Sequence, residues 1–196
     1  NPIDIERGIT RFGKQYSRFI TFQPLNQAPI RGVIGRDRSM GGDNVIASMF
    51  DQMPAESIMC FTIIPHSTTT IKRKLEMIEE KTTKSREMQS SIALNQAKDG
   101  QQYLAAGTER IYYFQVGVYL RADDIETLDD RYFSAITQVN ATKCMTPIYE
   151  EYDLFPNDSY IRNLPFVYSW GHDRKHALRA CMAYTSHIAA VLPFYG

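Results

Sequence analysis

Ile111-Tyr112-Tyr113-Phe114-Gln115-Val116-Gly117-Val118-Tyr119-Leu120 alternates in character, with Tyr112, Phe114, Val116, Val118 and Leu120 on one parity. Successive strand residues point to opposite faces, so the run predicts a β-strand with one firmly buried side. Asp123 follows, with Glu126 three residues on. This capping-box-like pairing precedes a helix whose stripe is Ile125, Leu128, Tyr132, Ala135, Ile136 and Val139. Cys144 to Tyr149 reads as another strand, and Pro147 within it argues for an edge position or an irregular end. Strand, helix, strand in this order implies a right-handed crossover if the two strands are parallel in one sheet.

Toward the N-terminus, Ser57 to Ile64 is apolar on both parities, the pattern of a central strand covered on both faces. Gln15 to Phe22 and Ile30 to Ile34 predict two further strands, and Gly35 to Gly42 a polar loop. Asp43 can cap a short helix carrying Val45, Ile46, Met49, Phe50 and Met53. After Pro65-His66-Ser67 comes a long charged helical excursion with Ile71, Leu75 and Ile78 at helical spacing. Glu79 to Glu87 offers almost nothing to bury, so this part is expected to project into solvent or meet a partner. The stripe resumes at Met88 and Ile92, and Asp99-Gly100 marks an expected break before a short segment to Ala106. Asp173 to Leu192 predicts a C-terminal helix with Leu178, Cys181, Met182, Thr185, Ile188 and Leu192 on one side, ended by Pro193.

The pattern is α+β: a mixed sheet with packed helices, a ferredoxin-like centre as one form of it, the charged excursion and the C-terminal helix. We read residues 1–196 as a single domain. Within it lie N-terminal strands and a short helix (1–56), a central α+β unit (57–150), and an aromatic loop with the terminal helix (151–196). The 196 residues are long enough for one cored body, and 43% hydrophobic content excludes a disordered tail. No apolar run approaches the roughly 20 residues of a spanning helix. Twenty-two basic against 22 acidic side chains give zero formal charge, which disfavours a dedicated nucleic-acid binder. Cys60, Cys144 and Cys181 have no metal-like spacing and read as reduced packing residues. Both ends read as cut from a longer polypeptide.

Few residues offer chemistry. Gly8-Ile9-Thr10-Arg11-Phe12-Gly13-Lys14 has the spacing of a phosphate loop, but Gln15 stands where a magnesium-binding Ser or Thr is needed, and no buried strand precedes it. His172 and His176 are one helical turn apart, the spacing of paired zinc ligands, and define an alternative reading as a small metal-dependent hydrolase. Arg174 and Lys175 between them oppose a dication, and Asp173 is better used as a helix cap. The basic face from Lys72 to Arg86 (Lys72, Arg73, Lys74, Lys81, Lys84, Arg86) defines a second alternative, a nucleic-acid-binding module, diluted by interleaved glutamates. Tyr160-Ile161-Arg162-Asn163-Leu164-Pro165-Phe166-Val167-Tyr168-Ser169-Trp170 crowds aromatic groups around a proline just before a helix. It reads either as a loop folded over the core or as a docking surface.

Ile64-Pro65-His66-Ser67, Val118-Tyr119-Leu120-Arg121-Ala122, Asp158 to Pro165, His172 to Ala180 and His187 to Gly196 together resemble the N-terminal region of type IV secretion and conjugation ATPases. These are the TraC, TrbE and VirB-type traffic ATPases, with the closest likeness to the type IVB branch of DotO (IcmB) and TraU. The resemblance runs from about Ser57 to Gly196, is most specific in the last forty residues, and leaves residues 1–56 unmatched. It implies a non-catalytic assembly and docking domain ahead of a RecA-like motor, with no catalytic, metal or cofactor residue in this chain. ATP and magnesium are implied for the longer parent, at the cytoplasmic face of the bacterial inner membrane. The implied partners are other subunits in a hexameric ring, inner-membrane secretion components and a second secretion ATPase, without direct nucleic-acid contact. Candidate contact residues are Tyr160, Arg162, Phe166, Tyr168, Trp170, Phe194 and Tyr195.

Overall fold

The computed structural model describes residues 3–6, 8–23, 40–41, 44–45, 52–83, 88–142, 145–149, 156–167, 169–173 and 180–191. The chain opens on a ribbon of β1 (Ile3–Glu6), β2 (Ile9–Phe12) and β3 (Gln15–Gln23), each antiparallel to the next. Phe12 pairs with Gln15, so Gly13-Lys14 is a two-residue hairpin turn, and Gly13 takes the positive φ of 63° that such turns need. The GxxxxGK spacing is therefore a hairpin. It leads into a strand, with no helix N-terminus to receive phosphate. β1 and β2 were not legible because Asp4, Glu6 and Arg11 break up their apolar pattern.

β4 (Met40–Gly41) and β5 (Asn44–Val45) form a small hairpin, which corrects the expected loop and helix start there; residues 46–51 lie outside the described residues. The strand expected at Ile30 to Ile34 also lies outside them. β6 (Ile58–Ile64) is followed by α1 (Thr68–Thr83), α2 (Met88–Ala106), β7 (Ile111–Ala122) and α3 (Ile125–Thr142). β8 (Thr146–Pro147), α4 (Pro156–Arg162), α5 (Trp170–Asp173), β9 (Cys181–Tyr184) and α6 (Thr185–Val191) complete the order.

β7 is the strand expected from its alternation, and it is the centre of a seven-stranded sheet. The path runs β1-β2-β3-β7-β6, with β8 on β3 and β9 on β7. The α+β class is as expected, while the sheet is antiparallel at every pairing among the described residues. β7 and β8 are each antiparallel to β3, so they run in the same direction with α3 as their connection. β6 lies at the end of the path, which corrects its reading as a central strand. Most of its residues are only half-buried, and Ile58 and Ile63 on opposite faces are exposed, so an apolar run on both parities does not here mark a strand covered on both sides.

The even residues of β7, from Phe114 to Ala122, meet Ile20 and Phe22 of β3 and the α3 stripe of Leu128, Tyr132, Ala135, Ile136 and Val139. The odd residues face the other way. There Ile111 and Tyr113 pack on Ile71 and Leu75 of α1 and Ala97 of α2, while Tyr119 packs with Phe19 and Tyr160. One layer, α3, thus covers one face of the sheet, and the α1–α2 pair and α4 share the other.

The charged excursion is two helices. Four residues, 84–87, reach about 14 Å at most, too short to return along α1, so α2 folds back on it and the two pack together. Asp99-Gly100 is no break: it lies inside α2, where Gly100 lets the helix close on Leu75 and Ile111. The C-terminal helix is also corrected. Cys181–Tyr184 pairs with Ile111–Phe114 as β9 and Thr185–Val191 is helical, while residues 174–179 and 192 lie outside the described residues. Tertiary pairing with the free edge of β7 overrides the helical spacing of Cys181 and Met182.

The cap of α3 sits one residue later than the sequence implied. Asp124 Oδ1 accepts from the Thr127 amide at 2.7 Å and Oδ2 from the Thr127 hydroxyl at 2.8 Å. The Thr127 amide first, and then its hydroxyl, hold the Asp124 carboxyl below its ordinary 3.8. A depressed carboxyl stabilises above its unfolded pKa, and that contribution is lost as pH falls through the folded value. Asp124→Ala should therefore lower the urea midpoint at pH 7 and converge with the parent in acid well below 3.8. An undiminished gap in acid would exclude this role.

Candidate docking platform

The segment from Tyr160 to Trp170 is a short helix and a tight turn. Pro156 opens α4, where a missing amide hydrogen costs nothing. Tyr160 is 6% exposed, with its ring 4.9 Å from Tyr119 at 85° and 5.9 Å from Phe12. Tyr119 in turn lies 4.5 Å from Phe19.

Three of the carbonyls left over at the end of α4, those of Ser159, Tyr160 and Ile161, find a donor. The Tyr119 hydroxyl donates to Tyr160 O at 2.5 Å, and Asn163 Nδ2 donates to Ser159 O at 2.8 Å. The Leu164 amide closes on Ile161 O at 3.2 Å. Asn163 is itself anchored to the sheet, because Thr62 Oγ1 of β6 donates to its Oδ1 at 3.0 Å. Burial first, then the neighbouring Cys60 and Tyr160, push the Tyr119 phenol far up, so it remains a donor across the working pH range. The turn beyond α4 is thereby fixed to β6 and β7.

What this base presents is Phe166. Its φ is 66°, a conformation rare for a bulky residue, and its side chain is fully exposed. Ile161 and Trp170 are also exposed, at 47% and 51%. Arg162 reaches back to Asp158 at 3.4 Å, a half-exposed pair of small energetic weight. Of the sequence-derived contact residues, Phe166 and Trp170 are on the surface, Arg162 is partly covered and Tyr160 lies beneath as support. Tyr168, Phe194 and Tyr195 lie outside the described residues. Reading residues missed Tyr119 and Thr62, which support Tyr160 and Asn163 from 41 and 101 positions away in sequence.

Chemistry elsewhere is sparse. Among the described residues no three His, Cys, Asp or Glu side chains gather as a metal site. His172 belongs to α5, whereas His176 lies outside the described residues. Cys60 is a free thiol that burial pushes up to about 11, which keeps it protonated and a poor nucleophile. Lys72, Arg73 and Lys74 are exposed on α1, with the Lys74 ammonium 5.2 Å from the Tyr113 ring centre. Lys84 and Arg86 lie outside the described residues, and no helix among those described is long and apolar enough to cross a membrane.

A family model described as TraC protein matches residues 1–168, most of the chain. The chain belongs to the TraC family. That membership ties it to type IV secretion and conjugation ATPases. No curated protein matches the chain. The TraC match begins at residue 1 and so takes in the ribbon and hairpin of residues 1–56, where sequence reading had found no likeness. It ends at 168, ahead of the His172 to Gly196 stretch on which that likeness leaned most heavily. The platform residues of this TraC chain, from Tyr160 to Phe166, fall inside the matched region.

Proposed function

We propose that this TraC-family chain is a non-catalytic N-terminal assembly and docking domain of a type IV secretion ATPase. Phe166, held out in a fixed turn whose supports are buried in the sheet, is the observation that carries the docking reading. Large exposed aromatic groups on a rigid base are what anchor an interface, because little side-chain and backbone freedom remains to be lost on binding. In this reading Phe166 and Trp170, with Arg162, Tyr168, Phe194 and Tyr195, meet another domain or subunit. Tyr160 sets their height.

The partners in this proposal are other subunits in a hexameric ring, inner-membrane secretion components and a second secretion ATPase. The setting is the cytoplasmic face of the bacterial inner membrane, in a system of the DotO/IcmB and TraU branch. ATP and magnesium would bind a RecA-like motor elsewhere in the parent protein, and this domain would work without a cofactor.

Two measurements test the proposal. The chain incubated with ATP and magnesium should turn over no nucleotide above background, and turnover that scales with its concentration would overturn the non-catalytic reading. Phe166→Ser in the full parent protein should lower substrate transfer by roughly tenfold. Because Phe166 touches little of its own chain, the melting temperature should not move. Unchanged transfer in both Phe166→Ser and Trp170→Ser would exclude this surface.

A further inference from the structure

β6 ends its side of the sheet, and among the described residues no strand pairs with its outer edge. Edge strands usually carry a charge, a proline or a bulge that deters further pairing. The opposite border has that protection, since β1 holds Asp4 and Glu6 within four residues. β6 has none of it. Ile58-Met59-Cys60-Phe61-Thr62-Ile63-Ile64 contains no charge and no proline, and its seven-residue register with β7 is unbroken. Ile58 and Ile63 stand 47% and 41% exposed.

We infer that this edge pairs with the β6 of a second copy of the chain, antiparallel across a two-fold axis, joining two sheets into one. The case for a second copy is that the edge is complementary to itself. A two-fold axis normal to the sheet keeps each face on its own side and pairs residues of equal parity. Centred on Phe61, it sets Ile58 opposite Ile64, Met59 opposite Ile63, Cys60 opposite Thr62, and Phe61 opposite its own equivalent. No charge meets another within the strand. Zero formal net charge leaves no general repulsion between copies. The same operation on β1, centred on Ile5, would set Asp4 against Glu6, like charge on like. Of the two ends of this path, β6 is therefore the one open to self-pairing among the described residues. The inference uses a different surface from Phe166 and does not rest on the docking reading.

Sedimentation velocity of the chain over a hundredfold concentration range tests it, together with hydrogen exchange of residues 58–64. Expected is a reversible monomer–dimer equilibrium, with exchange in this strand slowing as the dimer forms. Ile63→Lys should raise the dissociation constant at least about tenfold at unchanged melting temperature, since its side chain is already part-exposed. Ile58→Lys, on the opposite face, serves if Ile63→Lys fails to fold. A monomer at every concentration would overturn the inference, as would exchange protection that is independent of concentration, which would mean the chain covers its own edge. A dimer that persists in the folded lysine variants would overturn it too.

Discussion

Gly117→Ala should cost about 3 kcal/mol, a large share of the roughly 5–15 kcal/mol that holds a domain of this size together. A β-carbon at Gly117 would lie 2.1 Å from Phe19 Cζ, 2.7 Å from Phe19 Cε2 and 2.9 Å from Ile20 O. The ring could swing away, but the carbonyl belongs to the paired backbone of β3, and moving it breaks the ladder between Thr21 and Gly117. Phe19 lies over the glycine because nothing else fills that space, and from there it supports Tyr119 and, through it, Tyr160. The damage should reach Tyr160 and the base of α4. Urea unfolding measures the loss, and a midpoint unchanged within error would refute the packing argument. Adding Phe19→Ala removes the ring clash, so the double variant should lose less than the sum of the singles, a positive coupling between neighbours.

Phe114→Ala should cost about 3–5 kcal/mol. Phe114 is 1% exposed at the middle of β7, and its ring stacks on Phe61 of β6 with centroids 6.3 Å apart at 14°. Truncation loses the transfer energy of the ring and leaves a hole that three elements would have to collapse to fill. Phe133→Ala is the matching control. That ring is 64% exposed on α3, so its removal should change the unfolding free energy by less than about 0.5 kcal/mol. Similar losses in the two variants would mean the core is not where the structure puts it.

The residues that announced the fold were those whose pattern and burial agree. The even side chains of Ile111 to Leu120 face α3, whose stripe is regular because that helix packs on them, although Ile111, Tyr113 and Tyr119 on the other parity are buried as well. Elsewhere local pattern and tertiary outcome diverge. Cys181 to Tyr184 follows helical spacing, yet it pairs with β7, whose free edge at Ile111 to Phe114 cannot be read from residues 181–184. β6 looks central because chemistry on both faces was legible while the number of its neighbours was not. The aromatic content of Tyr160 to Trp170 was equally plain. Which of those rings point inward depends on Tyr119, Thr62 and Asn163 meeting across long stretches of chain, and no local rule encodes that.

Synthesis imposes an order on this architecture. β3 and β6 both pair with β7, which the ribosome delivers only after residue 110, so the first half of the chain can close little more than the β1–β3 ribbon and the α1–α2 pair. At roughly 5–20 residues per second, the sticky β6 waits several seconds for its first neighbour. Slowed translation between β6 and β7 should therefore cost more soluble protein than slowing after β7.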